Sequence, residues 1–208
     1  MSIPKIIEFP EGEPLTIEEC RQHLESQPYG DTDVDALDDA MILALLGAAR
    51  EHCEDFLGLS LSPRILELSI DTFPSVTDGV GIDLPMGPVR EILYISGEPP
   101  STDIDSDSTL AEDSYLLDTY SVPNRVVPVT SWPSVTSATN AIKIRYLAGY
   151  GEDSEGGEPL PFSLRAAMLL VLGHLYENRE DSTAVQTYEI PLGAQALMRP
   201  RRVRLGMA

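Results

Sequence analysis

The spacing of apolar residues changes twice along this chain, and these changes constrain the fold more than any other feature. Between residues 14 and 60, apolar positions recur every three or four residues, which is typical of amphipathic helices. From 63 to 150 they alternate in short runs separated by turn residues, as strands do. From 160 to 198 the helical spacing returns. The sequence therefore predicts an α+β fold, with an antiparallel β insertion between the second and third long helices of a helical core.

The first two helices carry recognisable end signals. In "PLTIEECRQHLES", Thr16 followed by Glu19 forms a capping box, which predicts a helix beginning just after Thr16. The stretch "DTDVDALDDAMILALLGAAREHCEDFLG" predicts a longer helix that ends at Gly58. One apolar stripe runs along this second helix, and a further set of apolar residues widens it. The stripe comprises Leu37, Met41, Ala44, Leu45, Ala48, His52 and Phe56, and the widening set comprises Ile42, Ala49, Cys53 and Leu57.

The middle block, about residues 63 to 150, reads as five or six short strands. In "RILELSID" the apolar side chains of Leu66, Leu68 and Ile70 alternate with polar ones, so one strand face is predicted to be buried. The stretch "VGIDLPMGPVREILYIS" gives two extended runs broken at "PMGP", because proline interrupts regular strand pairing. Three more runs complete the set: "DSYLLDTYS", "NRVVPVT" and "AIKIRYLAGYG".

The third long helix is apolar on nearly all sides. In "LRAAMLLVLGHLYENRED" the apolar character extends from Ala166 to Leu175, which predicts burial in a core or at a subunit interface. A short helix over Gly193 to Met198 follows, and Pro200 is expected to end it. The helical core thus comprises residues 14–60 and 160–198, and a basic tail follows at 199–208.

The charge distribution is strongly asymmetric. The net charge is −20, yet residues 1–198 hold all 34 acids against 10 of the 14 bases, a balance of 10 − 34 = −24. The remaining four bases, Arg199, Arg201, Arg202 and Arg204, lie within the last ten residues. Such acidity argues against a general nucleic-acid binder, which would present a basic face.

Two acidic runs begin like calcium-binding loops, but neither continues as one. An EF-hand loop needs glycine at its sixth position and a bidentate glutamate at its twelfth. The run 31–42 has Ala36 and Ile42 at these positions, and the run 103–114 has two serines. A helix cap and a solvated loop are the better interpretations, and no metal site is predicted.

Other catalytic and binding chemistry is also missing from the sequence. Cys20 and Cys53 are interpreted as packed, reduced thiols, since two cysteines are too few for a disulfide scaffold. With His23 and His52 they could form a zinc site only if His52 and Cys53 converged, but helical neighbours point about 100° apart. There is no "GxSxG" and no Walker loop, so no enzyme and no cofactor are predicted.

No membrane association is predicted either. The longest apolar run spans residues 166–173, far short of the roughly 20 residues that a bilayer span requires. The start of the sequence, "MSIPKIIEFPEGEP", has no long apolar region and does not read as a secretory signal.

The ordered series of segments resembles one protein family. The series runs from "PLTIEECRQHL" and "AREHCEDFLGLSL" through "ILELSIDTFP", "IDLPMGPVREILYI" and "IKIRYLAGYGE" to "LYENRED" and "IPLGAQALMRPRR". It resembles the head–tail connector family of tailed bacteriophages, also called adaptor or head-completion proteins. Within that family it is similar to the long subgroup with a β insertion and to the adaptor of gene transfer agents. The resemblance covers about residues 14 to 204.

The resemblance implies a structural role in a virion. Such adaptors form a ring of twelve copies beneath the portal protein, extend the DNA channel and dock the tail-side connector or stopper protein. Packaged DNA would pass through the lumen without sequence-specific binding. The protein would be assembled in the cytoplasm of the bacterial host and reside at the head–tail interface of the particle.

Two questions stay open at the level of sequence. The four C-terminal arginines are interpreted in three ways: as a solvated chain end, as a docking peptide for the portal, or as a contact to phosphates of the terminal DNA. The resemblance favours docking on the portal. The main alternative function is an acidic DNA mimic or packaging-accessory protein whose negative face binds a basic partner.

Overall fold

The computed structural model describes residues 3–9, 12–25, 39–74, 81–97, 109–135, 138–151, 157–178 and 191–203. Over these residues the fold is α+β, with helices and antiparallel sheets, as the sequence predicts. The chain divides into two compact units. One unit draws its described residues from Met1–Glu11, Gly58–Gly157 and Val203–Ala208, and contains the strands. The other draws them from Gly12–Leu57 and Glu158–Arg202, and contains the helices.

The helical unit contains four described helices: α1 (Ile17–Glu25), α2 (Asp39–Leu57), α3 (Phe162–Glu177) and α4 (Leu192–Met198). The predicted capping box at α1 is confirmed. The Glu19 amide donates to Thr16 Oγ1 at 3.2 Å, and the Thr16 amide donates to Glu19 Oε2 at 2.9 Å. Gly58 follows α2 with φ of 69°, the left-handed conformation that favours glycine after a helix.

The core of this unit forms where α2 packs against α3, with α1 beside both helices and α4 against α3. α2 buries the side chains of Ile42, Leu46, Ala49, Cys53 and Leu57, which include the widening set identified in the sequence. The main apolar stripe identified in the sequence lies to one side of this buried face of α2. In it Met41, Leu45 and Phe56 are half-buried, whereas Ala44, Ala48 and His52 are exposed, and Leu37 lies outside the described residues.

A buried ionic cluster joins Glu13, which precedes α1 in the chain, to Arg50 and Glu54 of α2. Arg50 is 7% exposed, and its guanidinium donates from Nε to Glu13 Oε2 at 2.8 Å and from Nη1 to Glu54 Oε2 at 2.9 Å. Glu54 is itself only 3% exposed. The cation thus forms hydrogen bonds with two carboxylates, one of which has little access to water, and its loss is expected to be costly.

The β unit contains two antiparallel sheets. The larger sheet has the order β1 (Lys5–Glu8), β2 (Arg64–Ile70), β7 (Ile142–Ala148) and β4 (Val89–Ser96). The smaller sheet has the order β3 (Ile82–Asp83), β6 (Arg125–Pro128) and β5 (Tyr115–Asp118). The strands within 63–150 lie where the alternating runs predict them. β1 is not predicted from the sequence, and it pairs with β2.

Alternation explains the core of the β unit. Leu66 and Leu68 of β2 are buried, as predicted, and Ile70 is half-buried against the same core. Ile142, Ile144 and Tyr146 of the neighbouring β7 are buried beside them. The Tyr146 hydroxyl donates to the carbonyl of Pro85 at 2.7 Å, so this buried polar group is satisfied.

The glycine that opens "GYG" at the end of β7 has a clear backbone role. Gly149 has φ of 116°, and a Cβ at this position would collide with the Ser62 carbonyl oxygen. Its amide donates to the Pro88 carbonyl at 2.9 Å. The close approach of three backbone segments therefore requires glycine here.

Candidate functional site

The C-terminal arginines begin in an ordered segment that continues α4. Ala194 and Met198 anchor α4 with fully buried side chains. A 3-10 turn over Arg199–Arg201 follows directly, and the Arg202 amide donates to the Arg199 carbonyl at 3.3 Å. Pro200 ends the α-helical pattern, as expected, because proline has no amide to donate. The chain nevertheless stays helical through the tighter turn, so Arg199–Arg202 is continuous with the helical unit.

Two guanidinium groups of this segment, those of Arg199 and Arg202, make weak contacts. Arg199, Arg201 and Arg202 are exposed. The Arg199 group donates to Gln195 Oε1 at 3.4 Å, and the Arg202 group lies 4.8 Å from the ring centre of Phe56. Within the described part of the chain, none of the three forms an ion pair. They therefore present charged forks that a carboxylate-bearing or phosphate-bearing partner could accept.

Arg204, the fourth arginine of the predicted site, lies outside the described residues. The structure thus brings Arg199, Arg201 and Arg202 together within one short segment and leaves the fourth untested. The contact between the Arg202 guanidinium and the Phe56 ring is not predicted from the sequence. Sequence spacing could not have found it, since 146 positions separate the two residues.

A second exposed feature is the tip of the β5–β6 hairpin. The Asp118 carboxylate accepts hydrogen bonds from the Tyr120 and Ser121 amides, the Ser121 hydroxyl and the Arg125 guanidinium. The Ser121 hydroxyl and then Arg125 make the largest contributions that lower the pKa of Asp118, to about 2. This network organises a tip on which Tyr120 is 98% exposed and Val122 is 78% exposed.

The residues considered for metal binding do not form a cluster. Cys20 and Cys53 are free and buried, as the sequence predicts, whereas His52 is exposed. Across the residues that the structure describes, no group of three or more His, Cys, Asp or Glu side chains could hold a metal ion. Most of the two acidic runs, 31–38 and 103–108, lies outside those residues. None of the described helices has both the length and the apolar character needed to cross a membrane.

Comparison with known proteins gives a full-length structural match. The chain is similar to one in the virion of a native gene transfer agent (GTA) particle, with a TM-score of 0.75, 22% identity, and coverage of 99% of this chain and 98% of the other. It is also similar to chains in the neck of an empty GTA particle computed with C6 symmetry, at a TM-score of 0.71 and 23% identity. A third match is to a chain in the neck of a native GTA particle computed with C12 symmetry, at a TM-score of 0.68 and 22% identity. Coverage is the same in all three.

No protein-family model and no curated protein matches the sequence. At this identity the structural match establishes that the chain shares a fold with components of GTA particles. Because the match spans 99% of the chain, it includes both the helical unit and the β unit.

Proposed function

We propose that this chain is a virion protein of the head–tail junction, an adaptor that forms a ring beneath the portal. The full-length likeness to a chain of a GTA virion carries the proposal, since it covers 99% of this sequence at a TM-score of 0.75. The likeness to chains in GTA necks computed with C6 and C12 symmetry supports a ring, and the C12 symmetry supports twelve copies.

The charge of the chain suits a DNA channel. Proteins are held on DNA chiefly by lysine and arginine contacts to phosphate that release counterions. A ring whose subunits each carry a net charge of −20 offers few such contacts and repels the duplex, so that DNA slides through. The proposed role is therefore structural rather than catalytic, and DNA passes through the lumen without sequence-specific binding.

The arginine segment supplies the proposed attachment to the portal. Arg199, Arg201 and Arg202 are exposed and follow a helix that buried side chains anchor. They would bind, together with Arg204, to an acidic or carbonyl-rich surface of the portal protein. A separate surface of the ring would bind the tail-side connector or stopper protein.

Removal of the gene from the cell that produces the particle tests this role. The expected result is heads filled with DNA that lack attached tails, because the junction is missing while packaging is intact. Supplying the intact gene from a plasmid should restore joined particles. Electron microscopy shows whether tails are attached to the heads, and the DNA content of purified heads shows whether they are filled. Heads without DNA would instead favour the packaging-accessory function, and particles of normal appearance would contradict both functions.

A further inference from the structure

The Arg202 guanidinium lies over the ring of Phe56. Phe56 stands in the last turn of α2 and is half-buried, whereas Arg202 is exposed. The central carbon of the guanidinium is 4.8 Å from the ring centre, within the roughly 6 Å at which an aromatic face attracts a cation. The end of α2 and the arginine segment are thus in direct side-chain contact.

The backbone on both sides of Arg202 is also held. The Arg202 amide donates to the Arg199 carbonyl at 3.3 Å, and the buried side chain of Met198 anchors the helix before this turn. The next residue, Val203, lies beside Gly58, since a Cβ on that glycine would come within 3.1 Å of the Val203 carbonyl oxygen. The backbone of the segment is therefore fixed, and the ring contact extends this order to the guanidinium.

The ring contact leaves the hydrogen-bond donors of Arg202 available to a partner. Within the described residues, the Arg202 side chain forms no hydrogen bond and no ion pair besides its contact with the ring. The five N–H donors of a guanidinium lie in its plane, so an arginine that stacks on an aromatic ring can still donate from its edge. A long side chain that is already held in place loses less conformational freedom when a partner binds it.

We propose that Phe56 is a positioning residue for portal binding, whose ring holds the Arg202 guanidinium where a carboxylate of the partner can accept it. The inference rests on the proposed function, which supplies the partner. Phe56 acts through Arg202 and does not itself need to touch the portal. The effect of replacing Phe56 should therefore depend on the presence of Arg202, which a purely structural role of the ring would not require.

A double-mutant cycle of binding to isolated portal rings tests this dependence. Phe56→Leu removes the ring but keeps an apolar side chain, and it should weaken binding about 3- to 10-fold, which corresponds to the ordering of one long side chain. In an Arg202→Gln background the same change should have no further effect. Phe56→Tyr keeps the ring and should bind like the unsubstituted protein. Phe162→Leu is the matched control, because it makes the same substitution at a site that is 89% exposed on another helix, and it should leave binding unchanged.

A second measurement tests the contact in the unsubstituted chain without the portal. Protons above an aromatic ring resonate upfield of their ordinary positions in the NMR spectrum. The Arg202 side-chain protons should show this displacement, and those of Arg201 should not. Phe56→Leu should abolish the displacement, and circular dichroism should show that this variant retains the native fold.

Other outcomes would overturn the inference. Equal weakening by Phe56→Leu with and without Arg202 would show that Phe56 acts by another route, and undisplaced Arg202 protons would show that the ring does not hold the guanidinium. Unchanged binding by Phe56→Leu would show that the ring contact does not matter to the portal, and tighter binding would show that the ring withholds Arg202 from it. None of these results bears on the proposed function, which fails separately if cells lacking the gene still produce joined particles.

Discussion

Replacing Arg50 with methionine is expected to lower the free energy of unfolding by about 3–5 kcal/mol, because it leaves buried carboxylates without their cation. Glu54 is 3% exposed and accepts from Arg50 at 2.9 Å, so its charge has little water to replace the lost partner. Glu13 is 21% exposed in its side chain and can recover more of its hydration. A loss of this size is a large share of the roughly 5–15 kcal/mol that stabilises ordinary domains.

Equilibrium unfolding in urea, followed by circular dichroism, measures this effect. The matched control is Arg21→Met, because Arg21 pairs with Asp39, whose side chain is 63% exposed. That pair lies near the surface, and its loss should cost no more than about 1 kcal/mol. The double variant Arg50→Met with Glu54→Leu should recover much of the stability, since it removes the uncompensated charge. A loss below about 1 kcal/mol for Arg50→Met alone would contradict the assigned role of the cluster.

Replacing Arg199, Arg201 and Arg202 together with glutamine is expected to weaken binding to isolated portal rings by at least about 100-fold. Hydrogen bonds to charged groups contribute about 1.5–3 kcal/mol each, and 1.4 kcal/mol corresponds to a factor of ten. The fold should be little affected, because the three side chains are exposed and, among the residues that the structure describes, Arg199 contacts Gln195 and Arg202 contacts Phe56 only weakly. Surface plasmon resonance with immobilised portal rings gives the dissociation constant.

Three comparisons make the binding result specific. The corresponding triple lysine variant keeps the charge but loses the planar fork, so an intermediate loss is expected. Arg21→Gln changes the net charge elsewhere in the helical unit and should leave binding unchanged. Unchanged binding by the triple glutamine variant would contradict portal docking and favour a solvated chain end. A loss seen only when the portal holds DNA would favour contact with phosphate.

Local signals in the sequence predicted most of the element boundaries. The capping box at Thr16 and Glu19 requires only three residues of chain, and Gly58 marks the end of α2 through its own conformation. The alternation of Leu66 and Leu68 with polar neighbours gave β2 and its buried face. These features could be predicted because each depends on residues that are close in sequence.

Features that depend on distant parts of the chain were not predictable in the same way. β1 is a four-residue strand whose paired residues lie 57 to 62 positions later, and "KIIE" alone is too short to show a period. α2 is apolar over two adjacent faces, so spacing could not decide that Leu46 faces the core and Ala48 faces outward. The tip at Asp118 gave a usable local signal, since an aspartate side chain in a turn often accepts from the backbone amide two residues on, as Asp118 does from Tyr120.

A reconstruction of the head–tail junction of the intact particle tests the central proposal most directly. Particles are purified from the producing cells, and the junction is reconstructed by electron cryomicroscopy with local refinement. The proposal predicts a ring between the portal and the tail, built from copies of this α+β fold, with Arg199–Arg202 of each copy against the portal. A junction without this fold, or its presence only inside the head or on its outer surface, would contradict the account.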